Sequence, residues 1–379
     1  MDKMKQLFAI AVLMSTIVGV GMFGLPYIGA RSGFGIAAVM LLFLAIIITI
    51  VHLLYGEIVC RTEGKHRLVG YAGIYLGHWG KKIVSISVVV GFYSSLLVYI
   101  IVGGDFVGAM FASSINIPPI FFNLAFFTLG AIALYGGIKL VAKLDLLMGA
   151  LLIIIVLLFF YFGFSQINTE NLQTLNWGNF FLPYGATLYS LAGLSAIPEI
   201  RDFFKKGENK KYGKAILWGT LIPAVLYFLF MITVIGLTGG ETTEESILGL
   251  SGMLGKKVIW VGAFFGFLAT ITSFFGIGIS LKETFICDYK INKNLAWFLV
   301  CFVPLLFLGL GVHNFITIII LTGALLGAVE GSAVVLIHRR AKKIGTQITD
   351  YNLKIPTIFS YAIILVFVIG FILTILFAL

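Results

Sequence analysis

STIVGVGMFGLPY, residues 15–27, lies in the middle of the first apolar run of the chain and governs the reading of everything after it. Gly19, Gly21 and Gly24 each lower helix propensity by about 1 kcal/mol relative to alanine, and Pro26 lacks an amide and crowds the preceding turn. The string therefore predicts a helix interrupted near mid-depth of a membrane. An amide or carbonyl left unpaired in hydrocarbon costs several kcal/mol, so such a break requires protein or a bound polar ligand to satisfy it.

The membrane setting follows from composition. The residues are 60% hydrophobic and 11% charged, against roughly 25% charged in a soluble domain. Runs long enough to cross a core of about 30 Å lie near 6–30, 34–60, 82–112, 118–136, 139–164, 177–203, 213–238, 257–287, 294–312, 314–338 and 355–378. These predict one all-α polytopic membrane domain of eleven spans over residues 1–379. With the amino terminus inside, all of the 26 Lys and Arg except Arg31, Lys256 and Lys257 fall on the cytoplasmic side, as the positive-inside rule demands. The expected location is the cytoplasmic membrane, with a cytoplasmic amino terminus and an extracytoplasmic carboxyl terminus. The net charge of +10 is then topological, and the basic residues sit in short loops rather than on a soluble face that nucleic acid would need. The start MDKMKQLF precedes a run with no small-residue cleavage site, which favours a retained span over a signal peptide. Cys60, Cys287 and Cys301 show no paired spacing, so neither a disulfide nor a zinc site is expected.

A second interrupted run lies five spans after the first. In NFFLPYGATLYSLAGLSAIPEIRDFF (179–204), the small residues Ala192 to Ala196 precede Pro198. Broken spans 1 and 6, in halves that face opposite ways because five is odd, point to an inverted-repeat transporter. The repeats would cover about 6–164 and 177–338, with 355–378 as an accessory helix. Glycine and proline are common in membrane helices, where they permit close packing; that explains any single glycine, but not two breaks in matching places. Two connections have amphipathic patterns. Leu68, Tyr71, Ile74, Tyr75 and Trp79 suggest a short interfacial helix, and Ile247, Leu248, Leu250, Met253 and Leu254 suggest an external lid.

Half-helix termini form an anion site, since free amides and the positive dipole end converge there. The amides of Val20 and Gly21 are the candidates for an amino acid carboxylate, with Gly19 allowing close backbone approach. At this point the residues support a resemblance. STIVGVGMFGLPYIGARSG (15–33) resembles the first helix of the amino acid/auxin permease family and, more broadly, of amino acid–polyamine–organocation carriers. AGLSAIPEI (192–200) resembles the sixth helix, GEIVCRTEG (56–64) the inner end of the second, and FLATITSFFGIGISLKETFICDY (267–289) the eighth helix of bacterial aromatic amino acid permeases. The resemblance implies the leucine-transporter-like fold, a 5+5 inverted repeat with a substrate site between spans 1 and 6 and alternating access.

It also implies residue roles. Substrate contacts would come from Thr16, Gly19, Val20, Gly21 and Phe23 on span 1, Tyr93 on span 3, and Tyr189, Leu191, Ala192, Gly193 and Ser195 on span 6. In that fold a sodium ion is often held between spans 1 and 8, which here brings together the carbonyls of Ser15, Val18 and Ala269 and the hydroxyls of Thr272 and Ser273. The two hydroxyls could equally back-bond to their own helix. Some relatives place a proton or a lysine amine there, and Lys143 is the candidate, although snorkelling to the interface also explains it. The small residues of 192–196 leave room for an apolar or aromatic side chain.

Ionisable groups inside spans need a reason. Glu57 and Glu199, near inner ends, would pair with Arg201, Arg61 or Lys82 as an inner gate, Glu57 being the structural member. Glu330 is deeper and has no neighbour in sequence, and Asp105 lies toward the outer end of span 3; each of these groups is a candidate gate, proton-coupling carboxylate or structural ion pair, with Glu199 and Glu330 the candidates for a functional role in gating or coupling. His52 and His313 are single and have no metal-ligand spacing. No nucleophilic or metal-spaced set marks an enzyme, and the Asp-Pro-Gly and Met-Pro-His runs of divalent-metal carriers are absent. The expectation is a secondary transporter for an amino acid, coupled to sodium or a proton, with no other cofactor and no obligate protein partner. The rival is an amino acid sensor on the same scaffold, like a germinant-receptor subunit.

Overall fold

The computed structural model describes residues 2–111, 117–136, 141–205, 207–246, 249, 256–287, 289–347 and 349–377. Regular structure among them is helical throughout. Six helices are long and apolar enough to cross a membrane, and a seventh span is a pair bent by 55° at its break. The other four expected spans are three shorter apolar helices, Pro119–Tyr135, Ile153–Gln166 and Lys293–Gly309, and a second broken pair, Leu182–Ser190 with Ala196–Ile200.

We number the spans in chain order and call the halves of the broken ones 1a (Asp2–Ile17), 1b (Gly21–Ser32), 6a (Leu182–Ser190) and 6b (Ala196–Ile200). Both interruptions fall where the small residues predict them, but neither proline makes its break. Pro26 lies inside 1b, and Pro198 is the third residue of 6b, within the first turn, where a missing amide removes no helical hydrogen bond. The glycines, not the prolines, carry the interruption.

Span 2 is Phe34–Arg61 and span 7 is Asn209–Thr238. The helix expected at 68–79 is present but runs on into span 3 as one element, Leu68–Phe111, bent at Gly77, whose φ is 77°. Span 8 is Lys256–Cys287. Span 10 runs Phe315–Leu326, then a π-helical turn Gly327–Gly331, then Ser332–Ile344. Span 11, Thr357–Phe377, is only 28% buried in its most apolar window, whereas the other long spans reach 56% or more, so it is peripheral. The apolar residues proposed as an external lid, and the side chains of Lys143 and Cys287, lie outside the described residues.

Two connections fix the ends of the bundle. In the segment 164–181, the side chains of Asn176 and Asn179 donate to the Arg31 carbonyl at 3.3 and 3.1 Å, and the Asn176 amide donates to the Ser32 carbonyl at 3.0 Å. They satisfy the carbonyls that the end of 1b leaves over. At the opposite end, residues of the connection after span 10, described at 345–347 and 349–356, strap spans 2 and 7 together. The Gln347 amide donates to the Arg61 carbonyl at 3.0 Å, the Tyr351 hydroxyl to the Leu53 carbonyl at 2.9 Å, and the Asn209 amide group to Asp350 at 3.0 Å.

Candidate functional site

The site begins with backbone atoms. Across the first break, the Val18 amide still donates to Met14, and the amides of Met22 and Phe23 donate to Gly19 and Val20. Among the described residues the amides of Gly19, Val20 and Gly21 have no partner. In the second break the amides of Gly193, Leu194 and Ser195 are likewise unpaired, while Leu191 and Ala192 close back on Thr187 and Tyr189. The two breaks touch. A Cβ on Gly21 would lie 2.5 Å from the Ser190 Oγ and 2.9 Å from its Cα, and one on Gly193 would lie 2.5 Å from Ile17. Only glycine permits this approach.

One side chain holds both breaks in register. The Tyr227 hydroxyl, on span 7, lies 2.8 Å from the Ile17 carbonyl and 2.9 Å from the Ser190 carbonyl, the last helical residues of 1a and 6a. It satisfies carbonyls that the interruptions free, as membrane depth requires.

A cavity of about 140 Å³ opens at this junction. Eight of the expected substrate residues line it: Thr16, Gly19, Val20, Gly21, Tyr189, Ala192, Gly193 and Ser195. Three do not. Phe23 is fully buried on the other side of the break, edge-on to Phe106 at 5.0 Å and Phe230 at 6.4 Å, with its carbonyl accepting from Ser246. Tyr93 turns its hydroxyl to the Leu299 carbonyl at 3.3 Å and its ring toward Phe285, and Leu191 is fully buried. The Phe23 side is therefore closed by aromatic packing. Thr16 and Ala192 are exposed on the cavity side.

Beside the expected residues, the wall holds His52, Ser95 and Tyr99, to which the sequence reading gave no role. The His52 Nδ1 is 2.9 Å from the Thr220 Oγ1, whose own hydrogen goes to the Ile216 carbonyl at 2.9 Å. The imidazole must therefore donate from Nδ1, which leaves Nε2 as an acceptor. The Tyr189 hydroxyl is buried beside the hydroxyls of Ser95 and Tyr99, which share its cavity. A lone histidine or tyrosine in an apolar run has no spacing to mark it. The one usable signal was that His52 is ionisable within a span.

A second cavity continues from the first and shares Thr16, Arg67, Tyr99, Ser195, Ile277 and Ser280 with it. Ser15, Thr272 and Ser273 of the proposed cation site line it; Val18 and Ala269 do not. The Thr272 hydroxyl donates to the Ala269 carbonyl at 3.0 Å and that of Ser15 to Val12 at 3.0 Å, so both back-bond to their own helices.

Arg67 stands where the cavities meet. It donates to Glu199 of 6b at 2.6 Å, to Glu283 of span 8 at 3.3 Å, and to the Ser195 carbonyl at 3.2 Å. Burial opposes its charge, but Glu199 and then Glu283 outweigh it and hold the guanidinium more firmly protonated than usual. This corrects the expected gate. Glu199 does not pair with Arg201, Arg61 or Lys82: Arg201 donates to the Phe204 carbonyl and to Asn209, and Lys82 lies over the Trp79 ring. A cation beside the carboxylate in sequence is not beside it across a loop. Glu57 is the structural member, fully buried and bonded to Arg61 at 2.7 Å, His338 at 3.0 Å and the Leu353 amide at 2.8 Å. Glu330 lines the main cavity and accepts a hydrogen bond from Ser87 at 3.5 Å.

Comparison with known proteins agrees with this architecture. The chain is 23% identical over 331 residues to glutamine transporter 2 of Aliivibrio fischeri, covering 85% of each chain. It is 25% identical over 296 residues to tyrosine-specific transport system 1 of Haemophilus influenzae, covering 74% of this chain and 72% of that one. Among solved structures it is similar to Mhp1, a nucleobase-cation-symport-1 family transporter, with a TM-score of 0.69 and 12% identity, covering 98% of this chain and 90% of Mhp1. A manganese transporter of Eremococcus coleocola superposes with a TM-score of 0.65 at 13% identity, covering 98% of this chain and 87% of that one. These two likenesses concern the fold, a leucine-transporter-like bundle. The model of the tryptophan/tyrosine permease family matches residues 2–376, and the chain belongs to that family, one of permeases rather than enzymes.

Proposed function

We propose that this chain is a secondary active transporter that carries an amino acid into the cell across the cytoplasmic membrane by alternating access, coupled to a cation. The observation that carries the reading is the pair of abutting breaks whose unpaired amides at Gly19, Val20 and Gly21 border a closed-ended cavity. A carboxylate there would gain charge-assisted hydrogen bonds from backbone donors that otherwise have none. The substrate ammonium would take the freed carbonyls and the neighbouring hydroxyls, and its side chain the apolar wall between spans 2, 3 and 10. The related glutamine and tyrosine transporters support an amino acid as the substrate class.

In this reading residues 6–164 and 177–338 are the two repeats, the amino terminus is cytoplasmic and the carboxyl terminus is outside. The conformation is then shut on the outer, Phe23 side, and Arg67 is the inner gate. Counterflow in proteoliposomes tests the function: vesicles preloaded with one unlabelled amino acid should draw in the same labelled amino acid. Binding without any exchange would instead identify a sensor built on the same scaffold.

A further inference from the structure

Glu330 is the carboxyl group of the cavity wall that the cradle and the gate leave without a task. It sits in the π-helical turn Gly327–Gly331 of span 10, and such turns are frequently found at functional sites. Its hydrogen-bond partner is a neutral hydroxyl, that of Ser87 on span 3, at 3.5 Å. Among the described residues no ion pair reaches it. Arg67 on the same wall is turned to Glu199 and Glu283. Arg339, nine residues further along and so roughly 13 Å up the axis, lies over the Tyr361 ring of span 11. The titratable groups that share the cavity are His52 and Tyr55 from span 2, Tyr99 from span 3 and Tyr189 from 6a; span 11 presents Phe367 to the turn.

A carboxylate at membrane depth without a cation is strongly disfavoured. The group is therefore neutral unless a positive charge comes to it. One carboxyl and one hydroxyl are too few to enclose a metal ion, since hard cations take about six oxygens, and no described cluster of three His, Cys, Asp or Glu exists to help. A proton needs only the carboxyl.

We propose that Glu330 is the binding site of the coupled proton, a step that rests on the transporter reading above. The carboxylate takes a proton from hydronium when the cavity is open to the acidic side, forming one O–H bond and leaving water, and stays the neutral acid while access to the loaded cavity switches sides. It releases the proton when the cavity opens to the other side, and the Ser87 hydroxyl donates to the carboxylate in the interval. Loading removes the one uncompensated charge from the wall, so the bundle rocks readily only when the proton is on.

The test is uptake of labelled amino acid into proteoliposomes holding the full chain, without sodium, under an imposed gradient with the interior alkaline. Wild type should accumulate substrate about tenfold per proton for each unit of pH difference, the equilibrium value for one coupled proton. E330Q should lose that accumulation and keep counterflow, which also certifies its fold, and E330D should keep accumulation. Accumulation by E330Q equal to wild type overturns the proposal. So does loss of both accumulation and counterflow in an E330Q protein that elutes as wild type, since Glu330 then grips the substrate instead. Wild type alone decides the matter if E330Q does not fold: uptake that follows a sodium gradient and ignores pH rules the proton out. Absence of both uptake and counterflow in wild type would instead remove the transporter reading itself.

Discussion

Gly21 shows how little room the cradle leaves. A methyl group there would enter the backbone of Ser190 as well as its side chain, and backbone cannot swing away. Overpacking of this kind costs about 1–3 kcal/mol. G21A should lower the thermal unfolding midpoint in detergent and abolish amino acid counterflow; full counterflow would show that the two breaks need not touch. Tyr227 is the complementary case. Y227F removes the donor shared by the Ile17 and Ser190 carbonyls, and unsatisfied buried acceptors cost about 1–3 kcal/mol. Its unfolding midpoint should fall clearly below wild type, and an unchanged midpoint would mean that other donors satisfy those carbonyls. Nothing in the sequence singles out Tyr227 among 15 tyrosines, because its role depends on span 7 crossing both breaks, a long-range fact that no local pattern encodes. The free amides were legible, since Gly19, Gly21 and Gly24 crowd into six residues at membrane depth, where so much lost helix propensity marks an interruption.

Among the elements, the broken helices were readable and their partners less so. Hydrophobic length placed the spans within a few residues, because the bilayer imposes length on every one of them. The prolines misled: Pro26 and Pro198 look like the cause of the breaks and lie inside helices instead. The gate was half legible. Glu199 stands out as a charge at the end of a span, but its cation, Arg67, comes from the connection between spans 2 and 3, and only the bend at Gly77 and the packing of spans 3, 6 and 8 bring it there. Arg67 and Glu199 are 40% and 45% exposed, and pairs this open contribute about 0–1 kcal/mol to stability. R67Q should therefore leave the unfolding midpoint nearly unchanged while releasing 6b from span 8. In a T16C background, alkylation by a membrane-impermeant maleimide applied from the inner side should become several-fold faster in R67Q. Equal rates would show that Arg67 does not govern access.

Across the whole molecule, the alternating access proposed above would divide the bundle into a part that moves with spans 1 and 6, whose breaks Tyr227 joins, and a part that carries spans 3, 8 and 10. Gln347, Asp350 and Tyr351 tie spans 2 and 7 through Arg61, Asn209 and Leu53, so in that motion these two spans would travel together. At one end the contact is aromatic, Phe23 against Phe106 and Phe230; at the other it is ionic, Arg67 with Glu199 and Glu283. Opposite chemistry at the two ends lets one end hold while the other parts, as alternating access requires. F23A should loosen the aromatic end and raise the rate at which a maleimide added from the outside reaches T16C, with no rise if Phe23 is only packing.

The central claim is that the unpaired amides at Gly19, Val20 and Gly21 hold a substrate carboxylate, and ligand-dependent thermal stability of the purified protein measures it most directly. Binding to the folded state raises stability by RT ln(1 + [L]/Kd), so the amino acid that fits should raise the unfolding midpoint in a dose-dependent way. Its decarboxylated amine, with the same side chain and ammonium, should leave the midpoint where it was. An amine that stabilises as well as its parent amino acid, or no stabilisation by any amino acid, would contradict the account.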